Sequence, residues 1–250
     1  MSFNVLCNDS AKTNFFPGCP QQFLEFKYRA SLVVEEVLRS GCDVVCLQDV
    51  DGFEVFKESL AGRYEGRFKQ RTGSKKDGCA IFWLRDKFLL VEELGVELDT
   101  LASLKNDLSL KKHNVGLLTE LQCVVGAPER LVVGCVNLFW QPDALGLKIN
   151  QTQYFLEEAV RFRGDSDAPM VICGNFNSPR EGIVYNLLQK CVNKHYPCPL
   201  FDAYRNFPSY WSVSDKKSRE TFFNYIWLVV LKRIKNSHLF SFSFFFFFCF

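Results

Sequence analysis

The stretch FLEFKYRASLVVEEVLRSGCDVVCLQDV, residues 23–50, decides the fold class of the chain. Its first part places apolar residues three or four positions apart, which predicts an amphipathic helix over Phe23–Ser40. Gly41 follows at a position where helices commonly end on a residue with left-handed backbone. Val44–Leu47 is a continuous apolar run, typical of a strand that is buried on both faces. A helix that leads directly into such a strand indicates an α/β architecture.

The rest of the chain repeats this alternation of short apolar runs and helical patterns. The polar segment Ser103–Asn114 is expected to be a loop. No linker is long enough to divide the chain, so we predict one domain over residues 1–230 and a tail at 231–250. Strands are predicted at Phe3–Leu6, Tyr64–Gln70, Cys79–Leu84, Phe88–Glu92, Val115–Val125, Leu131–Leu138, Met170–Cys173 and Phe222–Leu231, and helices at Asp51–Leu60, Lys148–Arg163 and Ile183–Cys191.

Composition limits the class of protein. A chain of 250 residues can bury one sizeable core. Its formal net charge of +2 excludes a protein that coats a polyanion over its whole surface, although a local basic groove remains compatible with it.

The tail differs in composition from the rest of the chain, because eight of the 26 phenylalanines lie within residues 238–250. Its apolar run, residues 239–250, is shorter than the about 20 residues that span a bilayer. A phenylalanine run without amphipathic pattern is also poor core material and prone to aggregation. We therefore expect a non-functional tail and no membrane association, with a C-terminal anchor as the alternative. The tail is expected to replace the last strand or strands of the fold.

The cysteines indicate a reducing compartment. Eleven is an odd number, and most of these residues lie in apolar runs, as Cys46 does in DVVCL. Buried free thiols behave as small hydrophobic side chains. A disulfide framework and a zinc site are both disfavoured, the latter because no histidine stands at ligand spacing. The expected location is the cytoplasm or the nucleus.

Polar residues follow several predicted strands at their carboxyl ends. Carboxylates and amides gathered at one edge of a sheet would suit Mg²⁺, which takes oxygen ligands. The alternative for each residue taken singly is a turn-capping role. These positions are Asn4, Asp49, Asp77, Asn137, Asn175 and Asn177.

A run of basic residues precedes Asp77 along the chain. Clustered cations of this kind are suited to the phosphates of a nucleic acid. A solvated strand face is the equally weighted alternative. The run consists of Arg67, Lys69, Arg71, Lys75 and Lys76.

Several motifs in order along the chain are similar to those of the endonuclease/exonuclease/phosphatase superfamily. The match runs from about Phe3 to Trp227 and most resembles the branch of carbon-catabolite-repressor deadenylases, nocturnin and Angel proteins. The motifs are SFNVL, VVCLQDV, RTGSKKDGCAIFW, HNVGLL, VNLFWQPDALGLKINQTQYFL, VICGNFNSP and FNYIW.

The resemblance implies two β-sheets stacked in a sandwich and flanked by helices, the four-layer architecture of deoxyribonuclease-like enzymes. It also implies a Mg²⁺-dependent phosphodiesterase site across the ends of the sheets. Substrates in this branch are mostly single-stranded RNA, especially 3′ poly(A), whereas nocturnin-like members remove a phosphate from dinucleotide cofactors.

Position by position, the resemblance implies a partly altered site. Asn4 matches a family residue that contacts the phosphate or a metal-bound water, and Asp77 matches one near the sugar edge. Asp49 stands where the family has a metal-ligating Glu, so its carboxylate is one methylene shorter. Trp140 and Pro142 match the stretch that packs against a base, with a loop anchor as the alternative for Trp140.

Four asparagines complete this comparison with the family pattern. Asn137 replaces a histidine that donates to the scissile phosphate, and Asn175 replaces the aspartate of CGDFN that orients or deprotonates the nucleophile. Asn177 matches the family residue, and Asn224 takes the place of the aspartate in DYI. Because an amide cannot take up a proton, the resemblance predicts a 3′-5′ exoribonuclease with impaired catalysis. A non-catalytic RNA- or protein-binding pseudoenzyme and a nucleotide-cofactor 2′-phosphatase are the alternatives.

Overall fold

The computed structural model describes residues 1–126, 129–179, 182–188, 201–202 and 224–229. Its strands are β1 (Ser2–Asn4), β2 (Val44–Val50), β3 (Tyr64–Gln70), β4 (Gly78–Leu84), β5 (Phe88–Glu97), β6 (Val115–Cys123), β7 (Arg130–Asn137), β8 (Met170–Asn175), β9 (Phe201–Asp202) and β10 (Asn224–Val229). Its helices are α1 (Gln21–Leu24), α2 (Phe26–Ser40), α3 (Phe53–Leu60), α4 (Thr100–Leu104) and α5 (Leu145–Arg163). Residues 183–188 are also helical, and Leu108–Leu110 form a 3-10 turn.

The strands form two mixed sheets. The first has the order β1-β2-β4-β3, in which β1 runs parallel to β2 and the other neighbours are antiparallel. The second has the order β5-β6-β7-β8-β10-β9, in which only β7 and β8 are parallel. The carboxyl ends of β1 and β2 therefore lie together at one end of the first sheet. Those of β7 and β8 lie together at one end of the second sheet.

The sheets stack face to face between two helical layers, which confirms the predicted four-layer sandwich. Their inner faces share one core, in which Cys46 and Trp83 of the first sheet pack with Cys135 and Cys173 of the second. Helices α2 and α3 cover the outer face of the first sheet, and α5 covers that of the second. All seven residues of β4 are buried, because both of its faces are covered.

Most predicted elements are confirmed within a few residues, and three differ. The first helix is interrupted at extended Glu25, and Arg29 Nε donates to the carbonyl of Leu24 at the break (3.0 Å). Strand β5 extends to Glu97, because it pairs with β6 along its whole length. The expected loop after Ser103 contains the 3-10 turn.

Some predictions fall partly or wholly outside the described residues. These are the tail at 231–250, the last residues of the helix predicted at Ile183–Cys191, and the outer residues of the strand predicted at Phe222–Leu231. Within the described part, no helix is long and apolar enough to cross a membrane. The described cysteines are free thiols, most of them buried.

Candidate functional site

Asp49 lies where the two sheets meet. The register between β2 and β4 shifts between Leu47 and Val50, and Asp49 has a left-handed backbone (φ 55°) within this bulge. Bulges commonly redirect a side chain at the end of a strand. The Asp49 carboxylate accepts hydrogen bonds from Asn4 Nδ2 (Oδ2, 2.9 Å) in the first sheet and from Asn137 Nδ2 (Oδ1) in the second.

The orientation of the Asn4 amide is fixed by its own loop. Asn4 Oδ1 accepts a hydrogen bond from the backbone N–H of Leu6 (2.9 Å), whose φ is 58°. With its oxygen engaged there, Asn4 directs Nδ2 at the carboxylate of Asp49. One carboxylate oxygen is thus permanently occupied by an amide.

Asn137 and Asn175 are register partners at the ends of the parallel strands β7 and β8. Gly174 makes this close pairing possible, since a Cβ there would lie 2.1 Å from the carbonyl oxygen of Val136. Asn224 begins β10 as the antiparallel register partner of Asn175, which aligns the backbones of these three asparagines across the sheet. The side chain of Asn224 is outside the described part.

The loop after β8 holds Asn177 next to this row. Asn175 Oδ1 accepts from the backbone N–H of Asn177 (3.1 Å), and Asn177 Nδ2 donates to the carbonyl of Leu138 (2.8 Å). Lys148 Nζ, which is buried on α5, donates to the carbonyl of Asn177 (2.7 Å). Burial lowers the pKa of Lys148, partly opposed by Asp143. These bonds fix the loop as a structural unit.

Two acceptors in this cluster are unsatisfied. Asn137 Oδ1 and Asn177 Oδ1 are buried and accept no hydrogen bond within the described residues. A buried polar atom without a partner is costly, so these two atoms indicate places for a hydroxyl or a water.

Asp77 is held at the same edge by Arg71. Arg71 Nη1 pairs with Asp77 Oδ2 (3.2 Å), while Nε and Nη2 donate to the carbonyls of His113 (3.0 Å) and Lys112 (2.9 Å). Asp77 is 5% exposed, and the guanidinium compensates its charge. Arg71 therefore acts as a structural cation.

The charge of Asp49 is destabilised by its surroundings. Desolvation raises the pKa of Asp49, and the nearby negative charge of Asp77 adds to this effect. The amides of Asn4 and Asn137 and the positive charge of Arg71 oppose it. The net result is a pKa above the usual range for an aspartate, as is common for carboxylates in functional clefts.

The magnesium site expected at Asp49 does not form from the residues present. Mg²⁺ requires a near-octahedral shell of oxygen ligands, usually including one or two available carboxylates. Both oxygens of Asp49 instead accept amide N–H groups. Within the described ranges, no group of three or more His, Cys, Asp or Glu side chains could hold a metal ion.

The basic run predicted to bind phosphate is largely neutralised. Arg67 pairs with Glu93 (2.8 Å) and Lys69 with Glu97 (2.6 Å), which links the first sheet to the edge strand of the second. Arg71 pairs with Asp77 as described above. Lys75 and Lys76 are exposed in the loop before β4, so they remain the cations of this run available to a ligand.

Trp140 and Pro142 lie on the exposed loop after β7. Trp140 is 65% exposed, and its ring centroid lies 6.0 Å from that of Phe139. Lys112 Nζ lies 5.2 Å from the centroid of Phe139 on the other side of this loop. An exposed tryptophan ring is suited to stacking on a base, and both this role and that of a loop anchor stay predictions.

The hydrogen-bonded residues that hold the backbone of Asn137 in place were not predicted from the sequence. Asn114 Nδ2 donates to the carbonyl of Asn137 (3.0 Å), and Gln151 Nε2 donates to Asn114 Oδ1 (3.3 Å). Gln151 Oε1 in turn accepts from the backbone N–H of Phe139 (3.0 Å). The available signal was the placement of Lys148 and Gln151 three residues apart on the buried face of α5.

The cluster is chemically suited to binding more than to proton transfer. Amide N–H groups can donate to phosphate oxygens, and the two unsatisfied amide oxygens can accept from hydroxyl groups. Neither Asn137 nor Asn175 can exchange a proton with a nucleophile or a leaving group. Asp49 is the carboxylate of the amide cluster among the described residues, and both of its oxygens accept hydrogen bonds.

Two stacked mixed sheets between helices, with polar side chains at a shared edge, define the class of phosphoester-cleaving sandwich proteins. The model of the endonuclease/exonuclease/phosphatase family matches residues 1–227. The chain belongs to this family.

Similar proteins lie in the deadenylase and Angel branch. Carbon catabolite repressor protein 4 homolog 5 of Arabidopsis thaliana is 30% identical over 196 residues, which cover 75% of this chain and 43% of that protein. The CCR4-Not complex 3′-5′-exoribonuclease subunit Ccr4 of Yarrowia lipolytica is 29% identical over 242 residues, covering 78% and 34%. The chain thus spans less than half the length of both relatives.

A solved structure supports the same branch. The crystal structure of ANGEL2, a 2′,3′-cyclic phosphatase, in complex with adenosine-2′,3′-vanadate superposes with a TM-score of 0.68 at 30% identity. The match covers 76% of this chain and 56% of that one. The predicted family, branch and fold are therefore confirmed.

Proposed function

We propose that this domain binds the 3′ end of single-stranded RNA of the poly(A) type in the cleft around Asp49. We further propose that it cleaves the phosphodiester bond far more slowly than an exoribonuclease does. The relatives named as exoribonucleases support the substrate class. The observation that carries the proposal is the backbone register pair of Asn137 and Asn175 beside Asp49. Both carboxylate oxygens of Asp49 accept hydrogen bonds from amides.

Binding would use groups that are already in place. Trp140 offers an exposed ring to the face of a base, and such a stack contributes about 1–3 kcal/mol per base. Lys75 and Lys76 offer exposed cations to the RNA backbone. The 2′-hydroxyl groups of the ribose distinguish RNA from DNA at such a cleft.

Catalysis would be slow because, among the described residues of this cluster, Asn137 and Asn175 stand where groups that move protons would be needed. Removing a positioned acid or base typically costs about 10²–10⁴-fold in rate. Mg²⁺-dependent 3′-5′ cleavage is the activity that the family resemblance predicts, and the ion would supply charge stabilisation at the phosphate. The donors around Asp49 do not fit this ion, so no step of the proposal depends on it.

The test is a fluorescence anisotropy titration of a 5′-labelled oligoadenylate with a free 3′ end, with the products of the same mixture separated on a gel in the presence of Mg²⁺. We expect a stable complex and no shortening above the protein-free control. Absence of binding would overturn the RNA assignment, and efficient shortening would overturn the claim of slow cleavage. A DNA oligonucleotide of the same sequence serves as the matched control and should bind more weakly.

A second candidate is the hydrolysis of a terminal phosphate on a nucleotide, which the structural similarity to the cyclic phosphatase ANGEL2 favours. Release of inorganic phosphate from a 2′-phosphorylated dinucleotide, or ring opening of an RNA 2′,3′-cyclic phosphate, would favour it. Both reactions require proton transfer, so the amide cluster predicts low turnover for them as well.

A further inference from the structure

Thr72, Asp99 and His113 form a polar cluster beside the Asp49 site. His113 Nδ1 lies 3.0 Å from Asp99 Oδ2 and 2.8 Å from Thr72 Oγ1, and the Thr72 hydroxyl donates to Asp99 Oδ2 (3.1 Å). The three residues come from three segments, which follow β3, follow β5 and precede β6. Thr72 and His113 lie in two of the motifs quoted above, but the sequence did not indicate that they meet Asp99.

The bonds around Nδ1 define the chemical state of the ring. Because the Thr72 hydroxyl gives its proton to Asp99, both neighbours of Nδ1 act as acceptors. Neutral His113 therefore carries its proton on Nδ1, and Nε2 keeps a lone pair. Within the described residues Nε2 makes no hydrogen bond, and the side chain is 31% exposed. On protonation, Nε2 becomes a donor for an anion.

The backbone is shaped to hold this ring. Asp99 Oδ1 accepts from the backbone N–H groups of Lys112 (2.8 Å) and His113 (2.7 Å), so the same carboxylate fixes the main chain and the imidazole. His113 has a left-handed backbone (φ 63°), which is costly for a residue other than glycine. Gly73 accommodates the ring, since a Cβ there would lie 2.9 Å from His113 Cε1.

His113 lies between the two sides of the cleft. Arg71, which pairs with Asp77, donates to the backbone carbonyl of His113 (3.0 Å). Asn114, which follows His113 in the chain, donates to the carbonyl of Asn137 (3.0 Å). Lys112 extends over Phe139 beside Trp140. The charged group in contact with the ring is Asp99, while Arg71 contacts the His113 carbonyl and Lys112 extends its ammonium group over Phe139.

We propose that His113, positioned by Asp99 and Thr72, is a protonation-dependent contact for a phosphate of the bound nucleic acid. This inference rests on the proposed function, because it places an RNA phosphate in the same cleft. The Asp99 carboxylate stabilises the imidazolium, whose Nε2–H then donates to a phosphate oxygen, a charge-assisted hydrogen bond. An imidazole is the side chain that ordinarily changes charge between pH 5 and 8.

The test compares the wild type with His113→Gln in the oligoadenylate titration at about pH 5.5 and pH 8, over a series of salt concentrations. We expect the variant to bind about tenfold more weakly at the lower pH and less than twofold more weakly at the higher one. At the lower pH, the slope of log K against log salt should fall by about 0.7, the value for one phosphate contact on a single strand. Asp99→Asn should give the same pattern, and Lys57→Gln on the outer helix α3 should leave the slope unchanged.

Two outcomes overturn the inference. An equal loss of affinity at both pH values would assign His113 a purely structural role, and no loss at either would exclude contact with the ligand. If wild-type protein binds no oligoadenylate, the proposed function fails, and the His113 Cε1–H resonance is then followed during titration with inorganic phosphate. A phosphate-dependent shift at low pH supports the site without RNA, and an unchanged resonance overturns it.

Discussion

Asn137 donates a hydrogen bond from its side-chain amide to Asp49, and this bond joins the second sheet to the first at the centre of the cleft. With Asn4 on the other oxygen, the carboxylate is held by two amides within a desolvated site. The family resemblance places an acidic ligand and a histidine at these two positions. Here Asn137 is a neutral amide, and both oxygens of Asp49 accept hydrogen bonds. This arrangement is the basis for proposing that the cleft binds RNA without hydrolysing it efficiently.

Replacing Asp49 by Asn should stabilise the protein at neutral pH. Because the pKa of Asp49 is raised in the folded state, the folded protein binds a proton more tightly than the unfolded chain. The wild type therefore loses stability as pH rises from about 4, the ordinary aspartate value, through the raised value. We expect Asp49→Asn to gain about 0.5–2 kcal/mol at pH 7 and nothing below about pH 4. Urea denaturation at a series of pH values measures this, and a gain that does not depend on pH would contradict it.

Removing the guanidinium of Arg71 should be strongly destabilising. Its loss leaves the buried Asp77 without a partner and frees the carbonyls of Lys112 and His113. We expect Arg71→Met to cost about 3–5 kcal/mol in free energy of unfolding. Arg67→Met in the preceding strand β3 is the control, because its ion pairs are partly exposed and should cost at most about 1 kcal/mol. Equal effects of the two substitutions would show that Arg71 is not a structural cation.

A methyl group at Gly174 should push β8 away from β7. The added Cβ would lie 2.1 Å from the carbonyl oxygen of Val136, so the backbones must separate where Asn137 and Asn175 pair. We expect Gly174→Ala to cost about 1–3 kcal/mol and to reduce RNA binding. Gly146→Ala is the control, since it lies in α5 with open space around it and should be neutral or slightly stabilising. The denaturation midpoints of both variants, compared with that of the wild type, test this prediction.

Trp140 should contribute to RNA affinity and little to stability. Because its side chain is largely exposed, Trp140→Ala should leave the free energy of unfolding within about 0.5 kcal/mol. Loss of one stacked base should weaken oligoadenylate binding by about 1–3 kcal/mol. Leu89→Ala is the control, as Leu89 is similarly exposed near the other end of the second sheet. Unchanged affinity in Trp140→Ala would remove the base-stacking role.

The α/β class could be predicted from apolar periodicity, and the four-layer sandwich from the resemblance of the motifs to the family, because both depend on local patterns. The strand-end positions of Asn4, Asp49, Asn137 and Asn175 were predictable for the same reason. The contacts that change their chemistry were not, since the bulge at Asp49 and the amide from Asn137 connect residues far apart in the chain.

The basic run and the polar cluster of Thr72, Asp99 and His113 likewise depend on contacts that the sequence does not show. Sequence shows Arg67 and Lys69 as unpaired cations, whereas the stacking of the sheets supplies Glu93 and Glu97 as partners. His113 begins the HNVGLL motif, but its partners Thr72 and Asp99 reach it only through the tertiary fold. Charge compensation across two sheets cannot be read from spacing along one strand.

The most direct test of the central claim is the rate of oligoadenylate shortening in Mg²⁺ with the protein in excess over RNA, measured for the wild type and for Asp49→Ala. Both proteins should be assayed at concentrations that saturate binding, so that any difference reflects cleavage. The account predicts that the two rates are equal and match the protein-free control. A wild-type rate well above that of Asp49→Ala would contradict it and would establish Asp49 as part of an active hydrolytic centre.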